Sequence, residues 1–128
     1  MMKKSSQGGA GRLRKIEAEL QRVLAELIAR EVKDPRVGSV TITGVRLAAD
    51  MGAAKVFYTP FGAAHPQQEV HRGLTRAAGF LRGEAGRRLG LRHAPRLDFV
   101  FDDTAEKAAR LTGLIDRAVA DDSAKAND

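Results

Sequence analysis

A change of hydrophobic period on either side of the hexapeptide KDPRVG limits the folds open to this chain. Before it, Ile16, Leu20, Val23, Leu24, Leu27 and Ile28 recur at the spacing of one helix face, with Glu17, Glu19, Arg22, Glu26 and Arg30 away from it. After it, SVTITGVRL is rich in β-branched residues and reads as a strand. Pro35 disfavours the helical conformation at Asp34 and Gly38 completes a turn, so the helix stops between the two patterns. A helix stripe beside half-buried strands points to helices packed on a sheet.

The remaining patterns extend this order. AADMG is a turn and AAKVFYTPF a second strand, so the two strands form an antiparallel hairpin, and Gly44 suggests a bulge or a close backbone approach. Pro66 suits the first position of the next helix, where a missing N–H loses nothing. LDFVFDD is a third strand with Leu97, Phe99 and Phe101 on one face, and Asp103 or Thr104 can cap a last helix ending at about Ala120. The economical arrangement is a two-layer α+β domain with helices on one sheet face. A chain of 128 residues suits one domain. The Lys/Ser/Gly-rich residues 1–11 are expected to be a disordered basic N-terminus, 12–120 the single domain, and 121–128 an acidic disordered tail.

The 22 Lys and Arg outnumber the 16 Asp and Glu, and the excess is uneven. Residues 1–38 carry nine basic and five acidic groups, 71–97 seven and one, and 98–128 four and eight. A positive field concentrated in two segments suits an anionic polymer better than a small neutral metabolite. The absence of cysteine excludes a disulfide framework, a zinc knuckle and a thiol nucleophile. MMKKSSQGGAGR has no apolar segment after its basic head, and no apolar run approaches membrane-spanning length, so a cytosolic location is expected.

The stretch Arg72–Arg92, RGLTRAAGFLRGEAGRRLGLR, carries the chemistry. It has helical apolar spacing, yet glycines stand at 73, 79, 83, 86 and 90, each costing a helix interior roughly 1 kcal/mol relative to alanine. On a helical wheel Leu74, Ala77, Ala78, Leu81, Ala85 and Leu89 form the buried side. Arg72, Arg76 and Arg87 share the other side with Gly79, Gly83, Gly86 and Gly90. Glycines on that side bare the backbone to an approaching polymer, and flanking guanidiniums suit phosphates.

Other motifs give way to plainer readings. GEAG at 83–86 matches the GxxG of KH domains, but it lies inside a helical pattern and Glu84 has the wrong charge for a phosphate clamp. His65, Glu69 and His71 make a poor metal set without cysteine. His93 near Asp98 or Asp102 lacks a nucleophile at suitable spacing. FDDT reads as a strand end and helix cap, not a Mg²⁺ site. Of Phe57, Tyr58, Phe61, Phe80, Phe99 and Phe101, most fall where strand alternation buries them, so backbone and shape contacts are expected to outweigh aromatic stacking. The acidic stretch Asp121–Asp128 is expected to be solvated.

RVLAELIAREVKDPRVGSVTIT, AKVFYT, RAAGFLRGEAGRRLGLRHAPRLDFVFDDT and ARLTGLID, taken in order, resemble the bacterial ribosome-binding factor A family across residues 12–117. The resemblance implies a KH-like domain of type II topology, helix-strand-strand-helix-kink-helix-strand, with a C-terminal helix. In it an Ala-x-Gly kink, here Ala77, Ala78 and Gly79, replaces the GxxG loop. It implies a noncatalytic, monomeric, cytoplasmic factor without metal or cofactor. Such a factor assists late maturation of the small (30S) ribosomal subunit, binds its 16S rRNA, supports maturation of the rRNA 5′ end and supports growth in the cold. The expected RNA-binding residues are Arg72, Arg76, Gly79, Arg82, Arg87, Arg88 and Arg92, with Arg12, Arg14 and Lys15 and the nearby Lys3 and Lys4. Gly83 departs from the serine common in the family. The alternative is a basic interaction domain for an acidic protein, with a ribonuclease a weaker third.

Overall fold

Three helices and three strands make up the computed structural model, which describes the backbone of residues 2–60 and 65–126 and the side chains of 9–60 and 65–115. Helix α1, Met2–Arg30, places Leu20, Val23, Leu24, Leu27 and Ile28 in the core, as its stripe requires. It ends before a 3-10 turn, Pro35–Val37, in which the Asp34 carboxylate accepts from the Arg36 backbone N–H. Strands β1 (Val40–Leu47) and β2 (Ala53–Pro60) pair antiparallel, helix α2 (Gln67–Leu89) crosses over, and β3 (Arg96–Phe101) lies parallel to β2. Helix α3 spans Thr104–Ala126.

The sheet order β1-β2-β3 follows the chain. A bulge between Ile42 and Gly44 resets the alternation of β1, so Ile42 and Val45, three residues apart, both face the core. Ala54, Val56 and Tyr58 of β2 and Leu97 and Phe99 of β3 join them under α1 and α2. Edge strand β1 is covered by α1 side chains: Gln21 donates to the Ile42 carbonyl at 3.0 Å, and Glu17 accepts from the Leu47 N–H at 2.8 Å.

Five expectations change. The first helix begins at Met2 and so runs through residues 2–11, the stretch expected to be a disordered N-terminus; an anchored helix adds one hydrogen bond per further residue. The last helix likewise passes Ala120 to reach Ala126, through residues expected to form a disordered tail. Asp102, not Asp103 or Thr104, supplies the side-chain cap of α3, accepting from the Thr104 N–H at 3.0 Å. Pro66 stands just outside α2 as its N-cap, where its carbonyl accepts from Glu69 and Val70.

The fifth change concerns α2 itself, which runs as one helix, Gln67–Leu89, with Ala77, Ala78 and Gly79 inside it and not between two separate helices. Its glycines also divide. Gly79 and Gly83 meet open space, but Gly86 is buried, and a Cβ there would stand 2.9 Å from that of Ala94. Gly90 ends the helix at φ 64°, and the Leu91 N–H closes back on the Gly86 carbonyl at 2.9 Å, the hydrogen bond that satisfies a terminal carbonyl in a left-handed cap. Phe61 and the side chains of Lys3, Lys4 and Asp121–Asp128 lie outside the described residues.

Candidate nucleic-acid interface

Positions 72, 76, 79, 83 and 87 follow one another at steps of three or four residues, so Arg72, Arg76, Gly79, Gly83 and Arg87 form a single exposed stripe along α2. The stripe is held outward because Val70, Leu74, Leu81 and Ala85 anchor the opposite face in the core. A Cβ at Gly79 or Gly83 would meet nothing within 4 Å, so two successive turns of bare backbone lie between Arg76 and Arg87.

At the N-terminal end of the stripe, Arg36, His71, Arg72, Thr75 and Arg76 line an open recess of about 490 Å³. Arg36 belongs to the 3-10 turn and is brought to α2 by Val37, which is fully buried against Gly73. The Arg36 guanidinium donates three hydrogen bonds to Asp34, two of them from one Nε–H shared between both carboxylate oxygens, the shortest 2.6 Å long. Hydrogen bonds from that guanidinium and from the Arg36 N–H hold the Asp34 carboxyl down to about 2, with the Arg76 charge contributing. His71 joins its Nδ1 to the Tyr58 hydroxyl at 3.1 Å, and Gln67 donates to the same hydroxyl at 2.9 Å. The groove wall is thereby tied to a tyrosine at the centre of the core.

The sequence-predicted cations separate into classes. Among the described residues, Arg72 and Arg76 make no side-chain hydrogen bond or ion pair. Arg82 donates twice to the Ala94 carbonyl, at 3.0 and 2.9 Å, which ties α2 to the loop before β3. Arg87 pairs with Glu84 at 2.8 Å, and this hydrogen bond lowers the Glu84 pKa and raises that of Arg87. Arg88 lies near Glu26, Glu31 and Glu84 at 3.7–4.0 Å and so braces α1 against α2. Arg92 is exposed just past the helix. Arg12, Arg14 and Lys15 are exposed on α1 and are not among the residues that line the recess.

Arg36, Thr75 and Phe80 join the candidate residues only in the folded chain. Arg36 sits in KDPR, which reads as a turn and as part of the family resemblance but not as a binding residue, and Phe80, listed among aromatics most of which strands bury, is exposed on α2. The candidate metal residues part company: His65 lies 3.3 Å from Glu69, while His71 turns to Tyr58. Among the described residues no group of three potential ligands is placed to hold a metal ion. Asp98 pairs with Arg96 at 3.1 Å and Asp102 accepts from Thr43 at 2.6 Å, so both carboxylates near His93 in sequence have structural partners. GEAG lies within α2.

A three-stranded mixed sheet covered by α1 and α2, with a helix joining parallel β2 and β3, defines a KH-like α+β domain. The crystal structure of ribosome-binding factor A from Thermus thermophilus is similar, with TM-score 0.62 and 34% identity over 69% of this chain and 93% of that one. So is a Thermus thermophilus ribosome-binding factor A homology model fitted into the cryo-EM map of a 30S complex, with TM-score 0.57 and 34% identity over 69% and 92% of the two chains. Among sequences, the chain is 52% identical to ribosome-binding factor A of Thioalkalivibrio sulfidiphilus over 114 residues, 89% of this chain and 88% of the relative. It is 50% identical to that of Pseudomonas putida over 113 residues, 87% and 86% of the two. The ribosome-binding factor A family model matches residues 12–115. The chain belongs to the ribosome-binding factor A family.

Proposed function

We propose that this protein assists late maturation of the small (30S) ribosomal subunit by binding its 16S rRNA through the arginine and glycine stripe of α2. It acts as a noncatalytic, monomeric cytoplasmic factor, supports maturation of the rRNA 5′ end and supports growth in the cold. The observation that carries the reading is the run Arg72, Arg76, Gly79, Gly83 and Arg87 on one exposed helix face, with two cations unpaired among the described residues. Bare backbone admits a second polymer closely, and the guanidiniums fork onto phosphate oxygens at its margins. Family membership supports the ribosomal partner, as does the Thermus relative fitted into a 30S complex.

Co-sedimentation with purified 30S subunits tests the proposal. Wild type should travel with the subunit, and the Arg72→Glu, Arg76→Glu double variant should remain at the top of the gradient with an unchanged circular dichroism spectrum. Undiminished association of the double variant would exclude the stripe as the interface. Association that survives digestion of the rRNA would instead favour an acidic protein partner.

A further inference from the structure

Phe80 is 48% exposed on α2, and among the described residues it is the one exposed large hydrophobic side chain outside α3. A lone exposed apolar group is ordinary on a protein surface, so its neighbours decide what it can do. Gly79 adjoins it and Gly83 lies one turn further on, both without a Cβ and both facing open space, which leaves that flank of the ring unshielded. Arg76 precedes it by four residues, a spacing at which helix side chains are neighbours about 5–6 Å apart at Cβ. Glu84, four residues later, is the one adverse charge on this part of the helix, and it is engaged by Arg87 at 2.8 Å and by Arg88 at 3.8 Å. Its negative charge is compensated before any phosphate approaches.

A flat apolar ring beside side-chain-free backbone and an unpaired guanidinium has the complementary parts of one unpaired nucleotide. The ring takes the face of the base, the guanidinium takes the phosphate, and the missing side chains leave room for the sugar. A base inside a duplex has no free face to offer. We infer that Phe80 is a stacking platform for an unpaired base of single-stranded RNA, with Arg76 holding the adjoining phosphate. This rests on the rRNA-binding reading and adds to it a preference for unpaired segments over duplex.

The chain contains no tryptophan, so Phe80→Trp in the full-length protein makes a unique fluorescent reporter at the platform. It is titrated with a short mixed-sequence single-stranded RNA and with a duplex of the same length, while anisotropy of labelled RNA reports binding independently. The single strand should quench the indole and the duplex should not. Phe80→Ala should weaken single-strand binding roughly five- to hundredfold, and Phe80→Leu, which keeps bulk but loses the flat face, should also weaken it. Binding by anisotropy without quenching, or wild-type affinity in Phe80→Ala, would overturn the stacking role and leave the rRNA-binding reading standing. So would a Phe80→Ala variant that loses 30S association at unchanged RNA affinity, since the ring would then meet protein. Anisotropy that stays flat with both RNAs would remove the underlying reading as well.

Discussion

A Cβ placed on Gly73 would stand 2.9 Å from the Cγ1 of Val37. Helix α2 and the 3-10 turn therefore meet at a distance that only a glycine at position 73 allows without displacement. This contact sets Arg36 beside Arg72 and Arg76 and so builds one end of the basic stripe.

Gly73 and Gly83 should respond oppositely to alanine. Each substitution gains about 1 kcal/mol of helix propensity. At Gly73 the methyl meets a fully buried valine, and overpacking of about 1–3 kcal/mol outweighs the gain. Urea unfolding should show Gly73→Ala about 1 kcal/mol less stable than wild type, and Gly83→Ala about 0.5–1 kcal/mol more stable. If the backbone of the stripe touches RNA, Gly83→Ala should bind RNA less tightly despite its added stability.

Acid should weaken the fold through two carboxylates. Hydrogen bonds from Arg36 hold Asp34 down to about 2, and those from Thr104 and Thr43 do the same for Asp102. Both ordinarily titrate near 3.8, so their contribution is complete above that pH and is lost as pH falls through about 2. Unfolding free energies measured from pH 5 downward should fall in this window. The Asp34→Asn, Asp102→Asn double variant should start less stable near neutrality and show a shallower decline.

The arginines should separate into binding and bracing groups. Arg72→Ala and Arg76→Ala should lower RNA affinity and leave unfolding nearly unchanged. Arg82→Ala removes two hydrogen bonds to the Ala94 carbonyl and should lower stability by about 1 kcal/mol. Arg88→Ala should lower it by less than about 1 kcal/mol, since its three carboxylate neighbours are loose and solvent-accessible. Paired denaturation and anisotropy measurements on the four variants check the division.

Helix α3 should be dispensable for folding. Leu111, Leu114 and Ile115 are exposed on it, and no residue of α3 belongs to the core among the described residues. A chain ending after Lys107, which keeps the hydrogen bonds that Asp102 accepts, should retain its denaturation midpoint and its cooperativity. A large loss of either would mean that α3 is covered by the domain in solution.

The elements were legible where their period was long and amphipathic. Leu20 to Ile28 and Leu74 to Ala85 announced helix faces that the structure buries, and Leu97 and Phe99 announced a strand face. Gly86 was misread because its wheel position faces solvent on an isolated helix, and only the return of Ala94 before β3 covers it. Arg36 was illegible for a related reason: its place beside Arg76 depends on the turn folding back onto α2, a contact between residues far apart in sequence. Phe80 was grouped by residue type with the core aromatics, although its helix phase sets it beside Gly79 and Arg76. At Arg82 and Arg88 the sequence shows a cation but not the carbonyl or the carboxylates that it meets in the fold.

The salt dependence of RNA affinity is the decisive measurement for the arginine stripe, because guanidiniums that neutralise phosphates release counterions. Anisotropy titrations of wild type and Arg76→Ala with a 16S rRNA fragment, across a range of salt concentrations, give the log–log slopes. Phosphate contacts from the stripe require a steep negative slope for wild type, about one unit per phosphate neutralised, and a slope shallower by about one unit for Arg76→Ala. A nearly flat response, or equal slopes for the two proteins, would contradict them.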